Sequence, residues 1–170
     1  MNPENLQKTV INNLFEVLKH YGLSNNRKKI ADFLNVNYST FRAWISYNRT
    51  PSLETLDKIS NTLSIPTHIL FIPDLQTEDV KRYIDNEIQN NSSFFLDKNL
   101  KSVYRDQDLN NWRAVENIYG SLLSQESLKS YHRKNNSRIP TINTLEKMST
   151  YLGVPAYKLI MGGKHHEYKS

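Results

Sequence analysis

The 170-residue chain has no cysteine and only 38% hydrophobic residues, which excludes disulfides, thiolate chemistry and cysteine-based zinc sites and fits small domains with much surface better than one large enzyme core. Its 22 Lys/Arg exceed 17 Asp/Glu to leave +5, and the excess is uneven: residues 1–88 carry 10 of each sign, residues 89–170 carry 12 basic against 7 acidic. Such a balance points mildly to a polyanionic partner, and with no basic and apolar leader after Met1 and no run near the roughly 18 apolar residues of a membrane span, a cytoplasmic protein without a membrane partner is expected.

Apolar residues recur at helical spacing from Leu6 through Val10, Leu14, Val17 and Leu18 to Tyr21, predicting a first helix that Gly22 terminates. Ser24, Asn25 and Asn26 offer a cap for a second helix, Arg27 to Leu34, with Ile30, Phe33 and Leu34 turned inward. A tight turn at Asn35, Val36 and Asn37 leads into a third helix, capped by Asn37 or Ser39 and running to about Ser46. Residues 47–50 read as a polar loop. Pro51 fits the start of a fourth helix, Ser52 to Leu63, and Pro66 opens a short fifth helix through Phe71 that Pro73 stops. Residues 77–88 read as a capped connecting helix, and Asn90, Asn91, Ser92 and Ser93 as a linker.

The chain then repeats itself. Pro51, Thr55, Leu56, Lys58, Ser60, Leu63 and Pro66 recur 89 residues later as Pro140, Thr144, Leu145, Lys147, Ser149, Leu152 and Pro155. Phe41 and Trp44 pair best with Leu128 and Tyr131 at an offset of 87. Leu14, Leu18, Leu23 and Arg27 pair with Leu100, Tyr104, Leu109 and Arg113 at 86, so the second copy carries small insertions. The expected organisation is all-α: two tandem five-helix units at 1–74 and 94–163, a helical linker at 75–93 and a tail at 164–170.

The second and third helices form the central signal. Ala31 lets them approach closely, while Leu34, Val36, Phe41 and Trp44 pin a steep angle from inside. The outer face of the third helix is then polar and free, and suits a major groove about 12 Å wide, where side chains meet base edges. Segment 26–70 resembles the phage-repressor and Cro type of helix-turn-helix, the XRE-like family, through Ala31, the Val36 turn, Ser39, Thr40 and Phe41 opening the third helix, Trp44, the polar loop, Pro51, Ser52 and the Ile65-Pro66 pair. Residues 94–163 resemble the same family more weakly.

That resemblance implies a lambda-repressor-like fold and a sequence-specific DNA-binding transcriptional regulator. It would be a repressor of a phage or other mobile element that occupies a double-stranded DNA operator. It further implies no cofactor, a homodimer as the usual reading unit, and release by an outside factor such as an antirepressor protein. By position it assigns Asn26 and Arg27 to backbone phosphate. Asn37, Tyr38, Ser39, Thr40, Arg42 and Ala43 fall on the recognition helix, with Arg42 suited to guanine and Asn37 to adenine. Asn48 and Arg49 occupy the phosphate-touching loop, which departs from the family at Tyr47-Asn48, where many members have Glu-x-Gly. In the second copy a recognition helix begins near Ser124. Gln125, Glu126, Lys129, Ser130 and Arg133 would face out, Lys134 and Arg138 would form a basic loop, and Arg113 would stand at the phosphate corner. Between Val115 and Leu123, either Tyr119 or Gly120 stands opposite Ala31. Glu126 would repel phosphates unless it accepts from a cytosine amino group.

Phe41, Trp44 and Tyr131 are expected in the core. His20, His68, His132, His165 and His166 are scattered without triad or metal spacing, and no glycine-rich phosphate loop occurs, so neither an enzyme nor a metal site is expected. A second expectation keeps DNA binding to the first unit and makes 94–163 a dimerisation or antirepressor-binding module. The basic second half argues against it, and the irregular stretch 112–123 argues for it.

Overall fold

The computed structural model describes residues 5–23, 25–132 and 138–162. Among them all regular structure is helical, as the sequence periodicity predicts, and no helix is long and apolar enough to cross a membrane. The first half begins with Asn5, whose side chain accepts from the Gln7 N–H and starts α1 (Leu6–His20). Val10, Leu14, Val17 and Leu18 form its buried stripe. Gly22, at φ +70°, turns the chain away. Asn26 caps α2 (Arg27–Phe33) and Asn37 caps α3 (Tyr38–Ile45). Ser52 caps α4 (Leu53–Thr62), so Pro51 lies before the helix rather than in it. A 3-10 helix, Thr67–Phe71, comes after Pro66, and Ile72 is extended ahead of Pro73.

Two local expectations are corrected. Phe33 does not turn inward; it is 43% exposed, and the helix buries Ile30 and Ala31 instead. Residues 77–88 are not one connecting helix. Only α5 (Thr77–Val80) and a 3-10 turn, Lys81–Tyr83, form, because tertiary hydrogen bonds capture the chain from Asp85 onward. The Asp85 N–H donates to the Ser64 carbonyl at 2.8 Å. Asn90 accepts from the Thr67 N–H and donates to the Ile65 carbonyl at 2.8 Å each. The polar stretch 90–93 is therefore docked, and its two serines open the next helix.

The second half contains α6 (Ser92–Asp106), α7 (Trp112–Tyr119), a 3-10 turn at Gly120–Leu122, α8 (Gln125–Ser130), α9 (Ile142–Leu152) and α10 (Ala156–Ile160). It repeats the hydrogen bonds of the first half, not merely its letters. Buried Asn13 donates to the carbonyls of Leu70 (2.9 Å) and Ile72 (2.7 Å); Asn99 donates to those of Leu159 and Met161, both at 3.0 Å. The Tyr21 hydroxyl donates to the Leu63 carbonyl, and the Gln107 amide to that of Leu152. The Arg49 N–H reaches the Ala43 carbonyl, and the Arg138 N–H that of Ser130. Positive φ values also coincide, at Asn35 and Gly120 and at Ser64 and Gly153.

The halves share one contiguous core, running from Val10 and Leu14 through Ile69 and Leu70 to Leu159 and Ile160. Their contacts are reciprocal. α4 packs on α6, α9 packs on α1, and the 3-10 helix Thr67–Phe71 packs on α10. Since α6 repeats α1, α9 repeats α4 and α10 repeats the 3-10 helix, each contact maps onto its own counterpart. That is the pattern of an isologous two-fold interface, here within one chain. Two hydrogen bonds mark it: the Ser92 N–H donates to Asp57 Oδ2 and the Leu6 N–H to Glu146 Oε1, each at 2.9 Å.

Replacing Asn13 or Asn99 by alanine strands buried carbonyls, and each change is expected to cost about 1–3 kcal/mol. Urea unfolding of either variant should remain a single transition at a lower midpoint, because the core is shared. Two separated transitions would contradict a common core.

Candidate nucleic-acid interface

The α2–α3 corner is built by short-range chemistry. Asn26 Oδ1 accepts from the Lys29 N–H at 3.0 Å, which fixes the start of α2 and leaves Arg27, Lys28 and Lys29 exposed. The Val36 N–H closes onto the Ala31 carbonyl at 2.9 Å, and Ala31 is fully buried, as its small side chain requires. Phe41 and Trp44 anchor α3 edge-to-face at 6.3 Å and are buried, in agreement with their expected core role. The opposite side of α3 is open. Tyr38, Ser39 and Arg42 are exposed, and Thr40 and Ala43 are half-buried.

These residues converge. Arg27, Ser39, Arg42, Ala43, Ser46 and Asn48, with Ile45, line an open concavity of about 490 Å³. Arg42 stands 6.0 Å from the centre of the Tyr38 ring, which supports its shaft without neutralising it. Among the described residues, none of the ion pairs includes Arg27, Arg42 or Arg49. The loop after α3 is held from behind. Buried Gln7 donates to the Arg49 carbonyl at 3.0 Å, and Tyr47 turns left-handed at φ +58°. Arg49 and Asn48 are thereby presented outward on a fixed backbone. Gln7 belongs to a helix remote in sequence, so its part in shaping this loop had no sequence signal.

Asn37 has less freedom than its position suggests. Its Oδ1 accepts from both the backbone N–H (2.9 Å) and the hydroxyl (2.7 Å) of Ser39. Only its amide N–H groups remain for a partner, so a two-pronged contact to adenine requires the cap to open.

The second half is different in detail. Asn111 caps α7 through the Ala114 N–H at 2.9 Å, as Asn26 caps α2, so the offset there is 85. Neither Tyr119 nor Gly120 then stands opposite Ala31; Glu116 does. Its Oε1 accepts from the Gln125 N–H and ties α7 to the start of α8. Arg113 is exposed one residue into α7, at the place of Lys28, while Trp112 takes the place of Arg27. From cap to cap the second helix pair is longer by two residues, Asn111 to Ser124 against Asn26 to Asn37. On α8, Glu126 and Lys129 are exposed, and Gln125 is half-buried and accepts from Lys129 Nζ at 2.9 Å; Ser130 does not face out as expected but is buried, its hydroxyl donating to the Ser127 carbonyl at 2.6 Å. Arg138 is exposed. Arg133 and Lys134 lie outside the described residues.

Polar pairs replace apolar ones beneath α8. The Tyr104 and Tyr119 hydroxyls meet at 3.0 Å where the first half has Leu18 and Leu34. Burial pushes the Tyr104 hydroxyl up to about 12 and raises Tyr119 as well. His132 Nδ1 contacts Asp97 directly, at the positions of Ile45 and Ile11. Burial pushes the Asp97 carboxyl up, but hydrogen bonds and charge from Lys101 and His132 outweigh it and hold the group below its ordinary value.

No family model matches this chain, and neither a curated protein nor a solved structure matches it.

A depressed carboxylate contributes stability above its unfolded value and loses it as pH falls through the folded value. Acidification below about pH 4 is thus expected to loosen the contact between α6 and the turn that follows α8. Asp97→Asn should flatten the dependence of melting temperature on pH below about pH 4; an unchanged slope would remove Asp97 as its source.

Proposed function

We propose that this chain is a sequence-specific double-stranded DNA-binding transcriptional regulator, acting as a repressor by operator occupancy. The observation that carries the reading is the concavity between α2, α3 and the loop after α3. In one shallow surface it gathers cations free of ion pairs, small hydroxyls and a protruding helix face. Phosphate takes Arg27, Arg49 and the first N–H groups of α2, and these contacts position the protein without reading sequence. α3 is then free to meet base edges. Arg42 is its principal reader, since its guanidinium suits the two acceptors of guanine. Ser39 and the amide of Asn37 offer secondary contacts. The XRE-like resemblance of segment 26–70 supports the same roles.

Blocking polymerase requires only tight, selective occupancy, so no chemistry at a cofactor enters the mechanism. Selection from a random duplex pool tests the reading directly, with a consensus site as the expected result. Arg42→Ala is expected to lower discrimination at one base pair by about 1–3 kcal/mol. Arg27→Ala should weaken binding to all duplexes and reduce the slope of log affinity against log salt by about 0.9. Arg42→Ala that binds every sequence as the parent does would displace α3 from the reading role.

A further inference from the structure

We infer that the chain is an intramolecular pseudo-dimer, in which α3 and α8 are presented as an inverted pair that reads two unlike half-sites on one duplex. The inference rests on the DNA-binding reading above. Its own ground is the symmetry of the interface. α4 meets α6 as α9 meets α1, and the 3-10 helix Thr67–Phe71 meets its own counterpart α10. A direct, head-to-tail tandem would join unlike surfaces, with no element meeting its own repeat. Here the self-pairing of the 3-10 helix with α10 places a two-fold axis between the halves. The exchanged carboxylates fix it: Asp57 of α4 takes the first N–H of α6, and Glu146 of α9 takes the first N–H of α1.

A two-fold relation reverses one reading helix with respect to the other. Half-sites on B-DNA that match such a pair run in opposite directions. The interface consumes the first, fourth and fifth helical segments of each half and leaves Tyr38, Ser39 and Arg42, and likewise Glu126 and Lys129, exposed. The outward residues differ between the halves: Tyr38, Ser39 and Arg42 correspond to Gln125, Glu126 and Lys129. A homodimer is confined to equal half-sites, whereas this chain carries two separate specificities in a fixed geometry.

The test is selection of duplexes by the full chain, with the stoichiometry of the selected complex measured by sedimentation. Two unlike half-sites and one chain per duplex are expected. Arg42→Ala should erase preference in one half-site and Lys129→Ala in the other. Polarity is read by affinity cleavage. The chain has no cysteine, so Asn25→Cys and Asn110→Cys each carry one iron-chelate reagent at equivalent, exposed places before α2 and α7. Mirror-image cleavage about the centre of the site is expected. Cleavage displaced to the same side of both half-sites, a single half-site, two duplexes bridged by one chain, or two chains per duplex would each overturn the inverted pair while leaving DNA recognition intact. No selected sequence at all would instead overturn the functional reading beneath it.

Discussion

A helix start leaves N–H groups without intrahelical partners, and a carboxylate placed there is favoured by both hydrogen bonding and the helix dipole. In this protein each half supplies that carboxylate to the other. Asp57 also accepts from the Thr67 and Ser92 hydroxyls, so one side chain joins α4, the 3-10 helix and α6. With Glu146 in the corresponding place at α1, the first N–H of each half's opening helix finds its acceptor on the other half, beyond the local caps of Asn5 and Asn91. The exchange lies beside the shared apolar core and beside residues 84–91, which Ser64, Ile65 and Thr67 dock. Units of this size bury little surface by themselves, and a common core is a direct way to gain more.

Symmetry at the backbone coexists with divergence in the side chains. Asn13 and Asn99 satisfy corresponding carbonyls, and positive φ values fall at corresponding places with glycine in one copy and asparagine or serine in the other. Beneath α8, however, a tyrosine pair and a His132–Asp97 contact stand where α3 rests on aliphatic residues. Polar pairs hold a helix through directed bonds rather than area. The turn that follows α8 is accordingly tied to protonation at Asp97, whereas the position of α3 depends on packing of Phe41 and Trp44.

The face of α3 owes its character to what the core removed from it. Phe41 and Trp44 are spent on anchoring, so arginine, serine and tyrosine are what remains outside. The Asn37 side-chain carbonyl is used locally as a cap, which in the proposed DNA-binding role leaves Arg42 as the principal reader. Gln7 rigidifies the loop that presents Arg49, and rigid presentation lowers the ordering cost of a phosphate contact.

The sequence by itself determined the helices of the first copy, the caps of α2 and α3, the start of α8 near Ser124, the buried stripe of α1 and the cluster lining the α3 concavity. These depend on periodicity and on side chains a few residues from the groups they satisfy. It also carried the internal repeat, because matched cores need matched spacings. What only the tertiary structure decided involves partners distant along the chain. The connecting helix over 77–88 yields to bonds from Ser64, Ile65 and Thr67; Phe33 faces outward; Glu116, not Tyr119 or Gly120, stands opposite Ala31. The reciprocal pairing of the halves is of the same kind. Local propensity cannot register it, since Asp57 and Glu146 look like ordinary acids on exposed helix faces until the N–H groups they complete, 35 and 140 residues away, are brought beside them.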